Sequence, residues 1–115
     1  MRRDRLYLDD ITEASEAIGR FLAGVSEGAF LASDLLQSAV LQKLTVIGEA
    51  AARLSPEFKA SAPHIPWSDI VAFRNIAVHA YFSVQWPIVW VAATEEAPLL
   101  RTQVLDLLAN EEAQD

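Results

Sequence analysis

From Leu8 to Val25, and again from Leu36 to Leu54, apolar residues return at steps of three and four. That spacing lines them up on one face of a helix with about 3.6 residues per turn. No segment carries a convincing strand pattern, so the chain is confined to helix-on-helix packing and its fold class is all-α.

Breaking residues set the segments. The first helix is expected from about Asp4 to Gly24, with Leu8, Ile11, Ala14, Ile18, Phe21, Leu22 and Val25 inside and Asp9, Asp10, Glu13 and Glu16 outside. Gly24 and Ser26-Glu27-Gly28 end it, and Phe30 and Leu31 are expected to pin the loop to the core. Ser33 or Asp34 caps a second helix, which runs to about Ser55-Pro56. Gly48 inside it costs stability relative to alanine, a cost that a close helix crossing would explain. Glu49 suits a boundary carboxylate that pairs with a neighbouring arginine or caps a loop.

Pro56, Pro63 and Pro66 make residues 56–66 a connector, in which His64 suits a surface or capping position. Ile65-Pro66 opens a third helix, because proline fits a first position whose N–H is not needed. Trp67, Ile70 and Phe73 are its packing residues, and it should end around Tyr81 or Phe82. Trp86-Pro87 opens a fourth, so apolar from Ile88 to Ala92 that it should be buried between helices or against a second subunit. Thr94-Glu95-Glu96 with Pro98 marks a cap or kink before a last helix from Ala97 to Leu108. The acidic tail from Asn110 to Asp115 is expected to fray. Four or five helices with short connections give a small antiparallel bundle, one domain over residues 1–115.

Apolar residues make up 52% of the chain, more than one small core needs, which points to a partner or a self-association face. Two-fold closure is the usual outcome. A net charge of -7 argues against a broad phosphate-binding surface and leaves room for a local cationic pocket. The absence of cysteine rules out a thiolate metal site, and His64 and His79 alone cannot form a histidine-rich one. No metal or cofactor is therefore expected. Met1-Arg2-Arg3-Asp4 leads directly into a charged periodic segment without a signal-peptide core, and no apolar run suits a membrane span. A cytoplasmic protein without membrane attachment is the resulting expectation.

The stretch from Arg74 to Tyr81 departs from plain amphipathic helix, with Arg74, Asn75, His79 and Tyr81 set among small or branched apolar residues. At about 100° per residue, Tyr81 falls about 20° from Arg74, while Asn75 and His79 lie about 100° and 140° away on the other side. Phe73, Ile76, Ala77 and Ala80 then fill the arc expected to be buried. Asn75 stands four residues before His79 and could orient its ring. Arg74 and His79 diverge within one chain, so a shared site would call for a long reach, a distorted helix end, or a second copy. Such a set supports phosphodiester transfer: histidine moves protons near neutral pH, and arginine holds phosphate and stabilises developing charge. With RNA, the 2'-hydroxyl is an internal nucleophile. The same residues would equally suit a solvated surface or a dimer seam.

The sequence resembles the HepT-like toxin family of the HEPN superfamily. Its signature, Arg-x4-His-x-Tyr, reads here as Arg74, His79 and Tyr81, with Asn75 after the arginine. Val46-Ile47-Gly48-Glu49-Ala50, Ile65-Pro66-Trp67 and Val89-Trp90 extend the likeness over nearly the whole chain, whereas Phe73 stands where methionine is frequent. The resemblance implies a HEPN-like helical homodimer with paired motifs at a cleft, acting as a metal-independent ribonuclease toxin on RNA, with tRNA one candidate. It implies Arg74 and His79 as catalytic residues and Asn75 in support. It also implies a minimal nucleotidyltransferase antitoxin, which in some pairs transfers AMP to the signature tyrosine, here Tyr81. The alternative is a non-enzymatic helical dimer that binds this nucleotidyltransferase and is its AMPylation target.

Overall fold

The computed structural model describes residues 2–114, with side chains from residue 3 to residue 111. All the regular structure in that range is helical: α1 (Arg2–Leu22), α2 (Glu27–Leu31), α3 (Asp34–Arg53), α4 (Pro56–Ser61), α5 (Trp67–His79), α6 (Trp86–Val91) and α7 (Ala97–Gln114). A 3-10 turn, Tyr81–Ser83, follows α5, and a π-helical turn, Ala92–Glu96, joins α6 to α7. None of the described helices is long and apolar enough to cross a membrane.

The inner face of α1 is the expected one: Leu8, Ile11, Ala14, Ile18 and Leu22 are buried, while Phe21 and Val25 are only partly covered. This face packs on α3 and α7, and α3 packs in turn on α5. Gly24 takes a positive φ of 72°, a conformation that favours glycine, and turns the chain out of α1. The expected loop after it contains α2, because Ser26 accepts a hydrogen bond from the Ala29 N–H and starts a helical turn. Phe30 is fully buried, as expected, but Leu31 faces solvent. The buried Gln37 donates to the carbonyls of Phe30 and Leu31, satisfying the end of α2.

Ser33 caps α3 through the Leu36 N–H. The expected connector at residues 56–66 is in part helical. Ser55 caps α4 at the Phe58 N–H, and Pro56 occupies an early position where no N–H is missed. This corner is tied to α1 over a long sequence separation. Asp4 accepts from the Ser55 N–H at 2.8 Å and from its hydroxyl at 2.7 Å.

The expected cap or kink at residues 94–96 is the π turn. The Ala97 N–H reaches back to the Ala92 carbonyl, and the Thr94 hydroxyl donates to the Trp90 carbonyl. Pro98 has no N–H to offer the Thr94 carbonyl, so widening the helix ahead of it keeps the axis running on. The helix is drawn on past Asn110 as far as Gln114, and Asp115 lies outside the described residues. The antiparallel bundle therefore consists of α1, α3, α5 and the joined α6–α7, with α2 and α4 at its corners. The molecule measures 47 × 29 × 20 Å. Its shortest dimension is about two helix diameters, so one flank of each outer helix is left without a covering layer.

Candidate functional site

Helix α5 is held by its crossing with α3. At Gly48 a built-in Cβ would overlap the Arg74 Cβ and lie 2.8 Å from its Cγ and 3.4 Å from its Cα. The bare backbone at Gly48 is what lets α5 come this close, so the cost of a mid-helix glycine is offset by the crossing. Trp67, Ile70, the adjacent Phe73 and Arg74, and Ala77 recur at each turn and form the inward stripe of α5. Trp67 and Ala77 are buried, and Ile70 and Phe73 partly so.

Arg74 is thus on the packed side of α5 and not on an outer polar face. Its side chain is 21% exposed, and Nη1 lies 3.3 Å from Oε1 of Glu49. Its Nε is buried and has no hydrogen-bond partner. The neighbouring arginine that Glu49 was expected to meet is therefore Arg74 itself. One residue of the expected buried arc is also reversed. Ile76 is exposed, because Ser68, Ala72, Asn75, Ile76 and His79 share the outward stripe. No hydrogen bond joins Asn75 to His79 among the described residues, and both side chains face solvent.

Helix α5 ends at His79, two residues before the expected end, and the Ala80 N–H closes it on the Ile76 carbonyl. This places Tyr81 in the 3-10 turn and outside the helix. Its ring stands edge-on to those of Phe82 and Trp86, each centroid 6.2 Å away. Trp86 in turn meets the buried Phe30 at 6.3 Å, so an aromatic chain runs from the core to the turn. Tyr81 remains 48% exposed.

Apolar side chains crowd the surface around this stretch. Ile76, Val78, Ile88 and Val91 are exposed, and Phe82 is fully so. The apolar start of α6 is therefore only partly buried within the chain: Val89 is buried and Trp86 and Trp90 pack on the core, while Ile88 and Val91 face out. A cavity of about 370 Å³ opens between α3, α5 and α7, lined by Leu44, Ile47, Ile70, Phe73 and Leu100 among others. None of Glu49, Arg74, His79 or Tyr81 lines it, so it is separate from the polar constellation. Among the described residues no group of three or more His, Asp or Glu side chains could hold a metal ion.

The family model described as ribonuclease HepT-like matches residues 11–107, most of the chain and every residue of the constellation. The chain belongs to the ribonuclease HepT-like family. Among curated proteins, this HepT-like chain is 36% identical over 100 residues to a protein named probable ribonuclease HepT from Thermococcus cleftensis, covering 87% of the chain and 91% of the relative. It is 33% identical over 109 residues to a Methanocaldococcus jannaschii protein named "Gamma-glutamylcyclotransferase and putative RNase". That match covers 94% of the chain but only 49% of the relative, so the chain spans about half the length of that protein. No solved structure matches the chain.

The roles of the site residues were only partly readable in advance. The sequence singles out the Arg74–Tyr81 stretch, but reading it as one polar face misplaced Arg74. The signal that could have corrected this is its spacing from Trp67, Ile70 and Ala77, which already marked an inward position.

Proposed function

We propose that this HepT-like chain is a metal-independent endoribonuclease, the toxin of a toxin–antitoxin pair, and that it works as a homodimer. The match of residues 11–107 to the ribonuclease HepT-like family carries the reading. In the proposed reaction the RNA 2'-hydroxyl attacks the adjacent phosphorus as His79 takes its proton. The bond from phosphorus to the 5'-oxygen breaks, and that oxygen receives a proton. Arg74 holds the phosphate and stabilises its added charge. One histidine cannot easily act as base and acid in a single step, so His79 of a second copy supplies the second proton. Exposed apolar residues in and after the stretch, the fully exposed Phe82 above all, support a second copy against this end of α5. Asn75, solvent-exposed beside His79, is assigned a supporting contact to the substrate rather than to the imidazole. The net charge of -7 favours one folded RNA feature, tRNA being a candidate, over broad degradation.

A nucleotidyltransferase antitoxin is proposed to neutralise the toxin by transferring AMP from ATP to the Tyr81 hydroxyl, releasing pyrophosphate. The added phosphate and bulk would repel and occlude the RNA backbone. The exposure of Tyr81 favours a second reading, in which the dimer is only the binding partner and target of that enzyme.

Expression of wild type, Arg74→Ala and His79→Ala in a bacterial host, with sequencing of RNA ends, tests the assignment. Growth inhibition with new RNA ends is expected for wild type alone. Undiminished inhibition by either folded variant would overturn it. A wild type that cuts no RNA yet accepts AMP would establish the second reading instead.

A further inference from the structure

We propose that Glu49 is the positioning residue for Arg74, fixing the direction in which its guanidinium meets an RNA phosphate. The inference rests on the ribonuclease reading above and assigns a role to a carboxylate that the reaction scheme does not use.

The arginine is held at both ends by consecutive residues of α3. Gly48 fixes the near end, because only a residue without a side chain leaves room for the Arg74 Cβ and Cγ. Glu49 meets the far end as an ion pair, its Oε1 3.3 Å from Nη1. Between them they leave a long, rotamer-rich side chain little freedom, which is what a phosphate-binding arginine needs before its substrate arrives.

The contact is one-sided. A guanidinium has five N–H donors arranged so that neighbouring pairs can grip two oxygens at once. Glu49 engages Nη1 only. Nε and Nη2 form the remaining two-donor edge, and among the described residues neither has a hydrogen-bond partner. Nε is also buried, which makes it a donor that folding leaves unsatisfied. Because Nε admits no outside atom, a phosphate would be met by the terminal nitrogens of the 21% exposed side chain, Nη2 above all, beside the Nη1 that faces Glu49.

Fold stability is a weak explanation for the pair. Glu49 is 43% exposed, and an ion pair so open to solvent contributes little to folding. Simple attraction of RNA is no explanation either, since a carboxylate beside the phosphate site repels the substrate. Glu49 therefore works against ground-state binding while it orients the group that acts in the transition state. That combination has a kinetic signature. Neutralising Glu49 should lower kcat without raising KM, unlike the loss of an ordinary binding contact.

The test is steady-state cleavage of RNA by wild type, Glu49→Gln, Glu49→Asp, Arg74→Lys and the Glu49→Gln/Arg74→Lys double variant, with thermal melting to confirm folding. For Glu49→Gln a kcat lower by about ten- to a hundredfold is expected, with KM unchanged or reduced. Glu49→Asp keeps the charge and should recover part of the loss. With lysine at position 74 the guanidinium is gone, so Glu49→Gln should cost nothing further. A kcat within about twofold of wild type, a rise in KM matching the loss, or an equal loss in the lysine background would overturn the inference. An inactive wild type would instead sink the ribonuclease reading itself, and a fully active Arg74→Ala would remove Arg74, and Glu49 with it, from the site. Active wild type with inactive Arg74→Ala and intact Glu49→Gln would remove Glu49 alone.

Discussion

Arg74 lies against the bare backbone of Gly48, where α5 crosses α3. Alanine at position 48 would gain about 1 kcal/mol of helix propensity. Its methyl would also overlap the arginine stem, which is backed by its own helix and cannot retreat like a flexible tip. Overpacking of this kind costs about 1–3 kcal/mol. Gly48→Ala is therefore expected to lower stability in urea unfolding and to impair cleavage by shifting Arg74. A variant more stable than wild type would show that the crossing has slack.

The contact between Asp4 and Ser55 makes a separate stability prediction, far from the proposed chemistry. Asp4 is 5% exposed and accepts both the N–H and the hydroxyl of Ser55. Asp4→Ala removes both of these bonds to a carboxylate in a part-buried contact, at a cost of about 1.5–3 kcal/mol. Ser55→Ala should cost about 1 kcal/mol for the lost α4 cap, plus its share of the Asp4 bond. The double variant should be less destabilised than the sum of the singles, because both remove one interaction. Strict additivity in denaturant unfolding would contradict the coupling.

Asp4 also shows where sequence reading stops. The periodicity of Leu8, Ile11, Ala14 and Ile18 places the inner face of α1 correctly, because burial of apolar area depends on a local repeat. The Asp4–Ser55 bond joins residues 51 positions apart, and no local pattern announces it. At the site the limit is different. Gly48 and Glu49 carried readable hints, a tolerated glycine and a boundary carboxylate, and both hints lead to Arg74. The charge of Arg74 argues for an outer position and its spacing from Trp67, Ile70 and Ala77 for an inner one, and the spacing prevails. In the fold, the Gly48 gap and the Glu49 carboxylate make an inward position tolerable for an arginine.

Tyr81 is expected to be dispensable for folding. Its contacts with Phe82 and Trp86 are made by the ring, and no hydrogen bond to its hydroxyl is present among the described residues. Tyr81→Phe keeps the ring, so the melting temperature should stay within about 2 °C of wild type. Incubation with the proposed nucleotidyltransferase and ATP should add one AMP to wild type by intact mass and none to Tyr81→Phe. Added mass on the phenylalanine variant would move the modification elsewhere.

The last prediction concerns the apolar flank beside the stretch. Phe82 is 102% exposed, so it contributes almost nothing to the core of its own chain. An aromatic ring left fully in water is costly unless another surface covers it, and Ile76, Val78, Ile88 and Val91 are exposed as well. If a second copy covers this face, sedimentation should give twice the chain mass of 12.7 kDa for wild type. Phe82→Asp would then place a charge in a desolvated contact and dissociate the dimer. Its own fold should be intact by circular dichroism, since the side chain is solvated in the monomer. Because the proposed reaction draws its second His79 from the partner copy, cleavage should fall with the dimer and return at high protein concentration. A monomeric wild type that cleaves RNA would refute the shared site, and an unaltered Phe82→Asp dimer would place the interface on another face.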